Sequence, residues 1–469
     1  MKRVGQEDPG LLKPQVHARP ATICQPIRED LPMSVHRTAS TIPHTLGDVP
    51  QAGHHAAVSQ GRKCGRINLF SLVGLTLAGF AVVWTVVPGV GCEICGQPTL
   101  TLADRIGQSD LAVLARWVSA RAEKGNQGAV SVFEVVDAAE GSSEVAEVGK
   151  TLTLPGFHGG EKGAFRLLTA DIEEGNRIRW NEPLEITEAC WKYAVEAPDP
   201  DTEWHERLVY YFQFLENPDV LIANDAHAEI VNAPTDDIAR AATELGPDRI
   251  RRWLQSPRTP AVRKGAYWVL LGFCGDDGDA DRLEADVQAE SKTLRLGLQG
   301  QIFGYLQLTG ERGLSLVVDR YFARPSDTDA TNELGDALKA VIWCHSNGNR
   351  RIPETSLQAA LRPLYTHPAH GELVITTLAR WKDWSMLEEL VQKYGQPGFE
   401  AASTRRCIAR YVAAATLDRP TEKKAPAPPH LAEAEKSLAQ LKQRDPQLVD
   451  GAIKALQREA EEAAAATTD

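Results

Sequence analysis

Cysteine is scarce in this chain, and its spacing limits the kinds of protein that the chain can be. Eight cysteines occur among 469 residues, and only Cys92 and Cys95 are close enough to form a local pair. Disulfide-rich secreted scaffolds carry several such pairs, and a structural zinc site needs four ligands. A disulfide scaffold is therefore excluded. A metal site at Cys92 and Cys95 would need two further ligands, which no second pair supplies.

Two ligand-binding motifs are incomplete. In the glycine-rich stretch 156–163, Lys162 lies between Glu and Gly, whereas a phosphate-binding loop requires Gly-Lys followed by Ser or Thr. In the acidic stretch 277–288, Arg282 and Gln288 replace the Gly and the Glu that a calcium loop requires. We predict a hairpin turn at the first stretch and a helix-capping turn at the second.

Positive charge is also in short supply beyond the N-terminal region. Residues 1–66 hold nine Lys or Arg and five Asp or Glu, a net charge of +4, so the rest of a chain with net charge −12 carries −16. Proteins that bind nucleic acid need clustered Lys and Arg to neutralise phosphates. We therefore expect no nucleic acid as a main partner.

Charged residues, histidine and proline are absent from Ile67 to Val87. These 21 residues would form a helix of about 30 Å, the thickness of the hydrocarbon core of a bilayer. Arg62, Lys63 and Arg66 precede the segment, and the positive-inside rule places such a flank in the cytoplasm. We predict a membrane helix within 67–88 that contacts the bilayer through 67–87, a cytoplasmic N-terminus, and an extracytoplasmic (periplasmic) remainder.

The same region also fits a cleaved signal. Gly89-Val90-Gly91 is a small-x-small site, and cleavage after Gly91 would secrete a chain that begins at Cys92. The apolar run is longer than a usual signal core, which favours retention as an anchor. Residues 1–66 are rich in Pro, Gly, His, Ser and Thr without periodic apolar residues, so we expect a disordered cytoplasmic tail.

Short strands follow the cysteine pair, within a predicted domain 89–197. Thr101 and Asp104 have the spacing of a helix capping box, which predicts a short helix to about Gln108. Five runs rich in Val, Leu, Thr and aromatic residues, separated by polar or glycine-rich turns, predict strands that suit a small barrel or sandwich. These runs are Leu111 to Val118, Val130 to Val136, Thr151 to Leu154, Phe165 to Thr169 and Ile178 to Trp180.

The order of these features resembles the netrin and tissue-inhibitor-of-metalloprotease type of module. The resemblance runs from Cys92 to about Tyr193, through Ser-Asp-Leu-Ala-Val-Leu-Ala from Ser109, Phe-Glu-Val-Val-Asp-Ala from Phe133 and Gly-Lys-Thr-Leu-Thr-Leu from Gly149. It implies an OB-like barrel with a cysteine motif at its start. This chain has Cys-x-x-Cys where the inhibitors have Cys-x-Cys, and only Cys190 follows within the module.

Helical periodicity begins after the linker 197–202 and defines a second domain, 203–418. Apolar residues recur at i, i+3, i+4 and i+7, as in Leu208, Tyr211, Phe212 and Leu215. Glycine-bounded turns at 275–278 and 310–313 lie 35 residues apart between apolar helices, a spacing near that of helical solenoid repeats. We predict a HEAT-like α-helical solenoid that presents an extended surface to another protein.

Residues 419–469 begin as a Pro-rich linker and continue as an Ala- and Glu-rich segment. Its apolar positions, such as Leu441, Val449 and Ile453, are sparse, so the segment is a marginal helix unless it meets a partner. We expect this end of the chain to be helical or disordered.

Three roles remain open for Cys92 and Cys95, which form the one cluster with chemical spacing. Haem attachment would need His after Cys95, where Gly96 stands, whereas redox exchange and metal binding need partners that the sequence does not identify. We favour a structural disulfide, either between these two cysteines or from the pair to Cys190.

The sequence as a whole predicts an α+β multidomain chain with an N-terminal transmembrane helix, a small OB-like β-barrel and an α-helical solenoid. We expect a membrane-anchored envelope protein of the bacterial type that is non-catalytic, needs no cofactor and binds or scaffolds another envelope protein through its helical repeats. One alternative is an exported thiol, disulfide or metal-dependent protein that uses Cys92 and Cys95. The other is a secreted protease-inhibitor-like module with Cys92 as its mature N-terminus.

Overall fold

A computed structural model describes the part of the chain that follows the apolar segment. The described residues are 92, 95, 99–122, 128–139, 142, 146–289, 294–323, 330–347, 351–420 and 426–466. The predicted tail 1–66 and the predicted span 67–88 lie outside them. Within these residues, no helix is both long enough and apolar enough to cross a bilayer. All described residues belong to one compact unit.

The first part of this unit is a curled antiparallel sheet. Its strands are β1 (Leu111–Ala122), β2 (Ala129–Ala138), β3 (Thr151–Pro155), β4 (Phe165–Glu173), β5 (Arg177–Trp180) and β6 (Leu184–Glu185). The strand order is β3-β2-β1-β4-β5, with β6 paired to β4, and all pairings are antiparallel. The five predicted strands are confirmed, and β6 is an addition. Among the described strands, β3 and β5 are edges that do not pair with each other, so the curled sheet is a half-barrel and not the predicted closed barrel.

Alternate residues of β1 enter two different cores. Ala112 and Leu114 contribute to the core shared with the helices, whereas Val113 and Ala115 lie with Phe133 in a second core inside the curl of the sheet. Register shifts between β1 and β2 mark bulges, which increase local twist and help a sheet to curl. The first five residues of β1 are therefore buried on both faces of the sheet.

Seventeen helices complete the described part of the chain. The two beside the sheet are α1 (Leu102–Gly107) and α2 (Glu188–Val195). The next eight are α3 (Trp204–Tyr211), α4 (Val220–Asn232), α5 (Thr235–Leu245), α6 (Pro247–Gln255), α7 (Ala261–Cys274), α8 (Asp277–Gln288), α9 (Leu298–Thr309) and α10 (Glu311–Val317). The last seven are α11 (Ala330–Ser346), α12 (Glu354–Leu361), α13 (Gly371–Arg380), α14 (Leu387–Lys393), α15 (Ala402–Leu417), α16 (Leu431–Arg444) and α17 (Pro446–Ala466). A π-helical turn, Val318–Phe322, follows α10, and a 3-10 turn, Arg362–Thr366, follows α12.

Helices α3 to α17 stack in chain order as a solenoid-like array. The predicted turns lie between paired helices, with Gly275 between α7 and α8 and Gly310 between α9 and α10. The backbones of α7 and α9 come unusually close, because a Cβ atom added to Gly272 would lie only 2.6 Å from the Cα of Gly304. The glycines of this stretch therefore allow a helix contact that side chains would prevent.

The sheet and the helical array share a single hydrophobic core. This core contains Leu114 and Leu167 of the sheet together with Leu208 and Tyr211 of α3. The predicted linker at 197–202 therefore connects two parts that are packed against each other. Their relative position is fixed by the packing.

The C-terminal helices continue the same stack. Leu441 of α16 and Val449 of α17 are fully buried, and Leu456 of α17 lies against Ala413 and Ala414 of α15. The sparse apolar positions of this segment are sufficient because α15 supplies a complementary surface. The partner that such a marginal helix requires is present in the chain itself.

Candidate functional site

The three cysteines singled out from the sequence all lie in the core at the junction of sheet and array. Cys92 and Cys95 form a disulfide with a Cα–Cα distance of 5.2 Å, and their exposed fractions are 0% and 4%. Cys190 is a free thiol, also fully buried, near the start of α2. Thr187 caps α2 by accepting a hydrogen bond from the backbone amide of Cys190. All three residues thus belong to the same hydrophobic core, and only Cys92 and Cys95 are bonded to each other.

The disulfide segment is attached to the C-terminal end of α4. The backbone amide of Cys92 donates to the carbonyl oxygen of Val231 at 2.6 Å. Seven residues later, Thr99 exchanges two hydrogen bonds with the side chain of Asn232, at 3.3 and 2.9 Å. The first described residues therefore contact the helical array directly.

Asp225 connects α4 to both helices beside the sheet. Its Oδ1 accepts a 2.8 Å hydrogen bond from the amide of Leu102, the first residue of α1, and its Oδ2 accepts a 2.9 Å bond from the Tyr193 hydroxyl of α2. Thr101 caps α1 with the predicted capping box, which aligns that amide toward α4. Burial raises the pKa of Asp225 to about 6, although both hydrogen bonds oppose the shift.

One turn further along α4, Glu229 forms a buried ion pair with Arg207 of α3. Their atoms Oε2 and Nη2 are 3.0 Å apart, and the two residues are 1% and 4% exposed. Burial raises the pKa of Glu229 to about 7, while the Thr101 hydroxyl and Arg207 act in the opposite direction. Within the described residues, Glu229 Oε1, Arg207 Nε and the Tyr211 hydroxyl are buried without a hydrogen-bond partner. Polar atoms of this kind commonly bind an internal water.

Aromatic rings close the junction on its α2 and α3 side. Tyr193 stacks on Tyr210 with ring centroids 5.9 Å apart, and Phe214 meets Tyr193 edge to face at 4.8 Å. The Tyr210 hydroxyl donates to the carbonyl oxygen of Tyr193 at 2.7 Å. Trp191 adds a hydrogen bond from its indole nitrogen to Asp137 of β2, at 2.9 Å. The cluster combines apolar burial with hydrogen bonds that fix its geometry.

The charged members of this junction were not predicted from the sequence. A signal was available, because Asp225 and Glu229 lie four residues apart on helix α4, so both must share one helix face. Their partners Leu102, Tyr193 and Arg207 lie far away in sequence. Periodicity within one helix cannot identify such partners.

The three cysteines of the core are poorly suited to nucleophilic attack or metal binding. Burial raises the pKa of the Cys190 thiol to about 12, with Asp219 and Asp225 adding to the effect, so this thiol is a poor nucleophile. The sulfurs of Cys92 and Cys95 are bonded to each other and offer no thiolate to a metal ion. Across the described residues, no group of three or more His, Cys, Asp or Glu side chains is arranged to hold a metal.

The incomplete motifs have structural roles. The stretch 156–163 connects β3 to β4, but β3 pairs with β2 and β4 pairs with β1, so the predicted hairpin turn is wrong. The carbonyl oxygen of His158 in this stretch accepts a 2.8 Å hydrogen bond from the Trp117 indole. In the acidic stretch, Asp276 and Asp279 form a capping box at the start of α8, and Arg251 holds Asp279 at 2.6 Å. The predicted helix cap is confirmed.

Two surface cavities lie on the helical array. The larger, about 600 Å³, is bounded by α3, α5 and the start of α6, with Val209, Phe212 and Leu245 beside Arg249 and Arg252. The smaller, about 230 Å³, lies among α13, α15 and α17. Sequence patterns gave no indication of either cavity.

Neither the sequence nor the structure matches a known protein in the comparisons. No protein-family model matches the chain, and no curated protein and no solved structure does so either. The function must therefore be inferred from the residues themselves.

Proposed function

We propose that this chain is a membrane-anchored extracytoplasmic protein that binds or scaffolds another envelope protein and performs no chemistry of its own. Its folded body is an OB-type barrel opened between β3 and β5, followed by a HEAT-like helical solenoid. The main support for the proposal is that the cysteine pair is bonded and buried. Cys92 and Cys95, the only cysteines whose spacing is typical of a reactive or metal-binding site, form a disulfide that is buried in the core.

The position of this disulfide in the sequence supports a folded body that is anchored to a membrane. Four residues separate Val87, the end of the bilayer-length apolar segment, from Cys92, and an extended chain of that length spans about 17 Å. A disulfide at this point suits the oxidising side of a membrane, where such bonds persist. The body would then be held close to the membrane surface by its first residues.

The core that sheet and array share supports a role in protein binding. Because sheet and array share one core, the array is held as a rigid extension of the anchored part. Extended helical arrays present long surfaces, and rigid surfaces lose little entropy when they bind a partner. Binding by the array would require no movement within the body.

Redox exchange is the main alternative, and two features argue against it. An attacking thiolate must reach a sulfur of the pair, yet Cys92 and Cys95 are 0% and 4% exposed. Cys190, a free thiol of the same core, has a pKa raised to about 12 and is almost entirely protonated at neutral pH.

An inhibitor that acts through a free Cys92 terminus is the other alternative. Such an inhibitor needs an accessible terminal amine. Here the nitrogen of Cys92 donates to Val231, and the residue is fully buried. Inhibition would therefore require this end of the chain to leave its contact with α4.

Fractionation combined with site-specific crosslinking tests the proposal. The full-length chain should remain in the membrane pellet after alkaline washing, and external protease should reach residues 92–466 only after the outer barrier is opened. Photo-crosslinkers placed on exposed array positions, such as Val220 and Val262, should capture a discrete partner, whereas Phe157 on the sheet side serves as the comparison. A chain recovered in the cytosol would overturn the location. A small-molecule turnover lost in Cys92→Ser would overturn the non-catalytic role.

A further inference from the structure

A basic stretch crosses the otherwise acidic body at α6 and the start of α7. Residues 247–264 contain six Lys or Arg and only one acidic residue, whereas the chain beyond residue 66 carries a net charge of −16. A local concentration of one charge within a field of the other attracts partners of opposite sign. The stretch lies at the wall of the larger cavity on the array.

Two arginines of this stretch line that cavity. Arg249 and Arg252 are three residues apart on α6, so they occupy the same side of the helix. Both are exposed, and neither forms an ion pair or a side-chain hydrogen bond within the described part of the chain. Arg251, between them, binds Asp248, Asp276 and Asp279 at 2.6 to 2.8 Å instead. Arg251 therefore stabilises the fold, whereas Arg249 and Arg252 remain available to bind a ligand in the cavity.

Part of the cavity lining is apolar. Val209 and Phe212 of the α3 end and Leu245 of α5 line it, and Val209 remains 39% exposed. A volume of about 600 Å³ suits a short peptide segment and is far too small for a folded domain. Glu244 and Asp248 also line the cavity, but Asp248 is paired with Arg251, so two arginines face one uncompensated carboxylate there.

The same combination of contacts occurs where the chain binds its own last helix. Leu456 of α17 lies against Ala413 and Ala414 of α15, and Glu459 of α17 pairs with Arg410 of α15 at 2.5 Å. The amphipathic helix α17 thus packs an apolar side chain against α15 and pairs a carboxylate with an arginine of α15. This contact within the chain illustrates the kind of segment that the open cavity could bind.

We propose that the cavity between α3, α5 and α6 binds an acidic amphipathic segment of the partner protein, with apolar side chains on Val209, Phe212 and Leu245 and carboxylates on Arg249 and Arg252. Arginine pairs with carboxylates in a directional, often bidentate geometry, so the two guanidinium groups set the register of the segment. This inference rests on the proposed protein-binding function and specifies the chemistry of its partner.

Peptide selection on the full-length chain tests this site and does not require the partner to be identified first. The probe is a phage-displayed library of random 12-residue peptides, selected on immobilised wild-type protein in detergent. The affinity of each enriched peptide is then measured by fluorescence polarisation for the wild type, for the double variant R249Q/R252Q and for the control R406Q. Arg406 is an exposed arginine of α15 outside the cavity.

We expect enriched peptides that combine Leu or Phe with two Asp or Glu on one helix face. Their affinity should fall at least tenfold in R249Q/R252Q and stay within twofold in R406Q. A benzophenone side chain at Gln213, on the cavity wall, should crosslink the same peptides. Thermal unfolding of R249Q/R252Q should match the wild type, because both arginines are exposed, so a loss of binding cannot reflect misfolding.

Several results would overturn the assignment. These are no enrichment, enriched peptides without acidic residues, equal affinity for the double variant, or preferential binding of DNA through the same arginines. The two proposals fail separately. If crosslinks in cells form at other faces of the array and no peptide is selected, only the proposed cavity site is refuted. Peptide binding by a chain located in the cytosol would remove only the envelope function.

Discussion

The backbone amide of Leu102 donates a 2.8 Å hydrogen bond to Oδ1 of Asp225, a residue 123 positions further along the chain. This bond joins the first residue of α1, beside the sheet, to the middle of α4 in the array. The other oxygen of the same carboxylate accepts a bond from Tyr193 of α2. One side chain therefore connects three helices, and its ionisation should influence how firmly sheet and array are held together.

Stability should respond to pH through Asp225. Its pKa is raised from 3.8 to about 6, so the folded state retains the proton over a range in which the unfolded state has lost it. The stabilisation is therefore fully present below about pH 4 and is lost as the pH rises through 6. A shift of this size corresponds to at most about 3 kcal/mol. Asp225→Asn resembles the protonated acid, because its amide oxygen can accept from Leu102 while its amide nitrogen donates to the Tyr193 hydroxyl, and it should remove this pH dependence.

Urea unfolding at pH 5 and pH 8 measures this effect as the difference between wild type and variant. Taking the difference cancels groups common to both proteins, including His227, whose pKa is lowered by burial to about 4 and which acts in the opposite direction. Asp319, an exposed residue of the π-helical turn, provides the control Asp319→Asn, which should follow the wild type. Identical pH dependence in wild type and Asp225→Asn would refute the prediction.

Breaking the ion pair between Arg207 and Glu229 should be costly, whereas removing both members should not. Arg207→Met leaves a carboxylate buried without its partner, for which we expect a loss of about 3–5 kcal/mol in the free energy of unfolding. The double variant Arg207→Met/Glu229→Leu removes both charges and should recover most of that loss. A double-mutant cycle by chemical denaturation provides the measurement. Additive losses would show that the two side chains are not coupled.

The close contact of α7 and α9 should not tolerate a single added methyl group. In Gly272→Ala the new Cβ would lie 2.6 Å from the Cα of Gly304, so the helices must separate, at a cost of about 1–3 kcal/mol. Gly451→Ala, at an exposed position of α17 with no heavy atom within 4 Å of the added Cβ, should instead stabilise by about 0.5–1 kcal/mol. Thermal unfolding of both variants tests the pair. A neutral Gly272→Ala would mean that the helices are further apart than described.

The disulfide should stabilise the body without taking part in exchange. Cys92→Ser/Cys95→Ser should lower the free energy of unfolding by about 2 kcal/mol, the value expected for a very short closed loop. Reductant should lower the stability of the wild type to that of the variant and leave the variant unchanged. Cys407→Ser, at a partly exposed free cysteine, is the control. Rapid labelling of Cys190 in the folded protein would contradict its burial.

Local features of the sequence predicted the sheet well. Short runs rich in Val, Leu, Thr and aromatic residues located β1 to β5, and the spacing of Thr101 and Asp104 located the start of α1, because both signals depend on neighbours within a few residues. The strand order and the open edges at β3 and β5 depend on contacts between distant strands. A list of strands does not contain that information.

The junction could not be predicted for the same reason. Asp225 and Glu229 have the spacing of an ordinary solvent-exposed helix face, and only the positions of Leu102, Tyr193 and Arg207 make that face a buried one. The C-terminal helices show the opposite case. Their few apolar residues predicted marginal stability, yet α15 offers a surface that fits them.

The hydrogen bond from Cys92 to Val231 determines where a mechanical load on the body would be applied. A pull transmitted along the chain from its N-terminal side would reach the C-terminal end of α4 before it reached any strand of the sheet. Tension would therefore strain the helical array first and would spare the half-barrel.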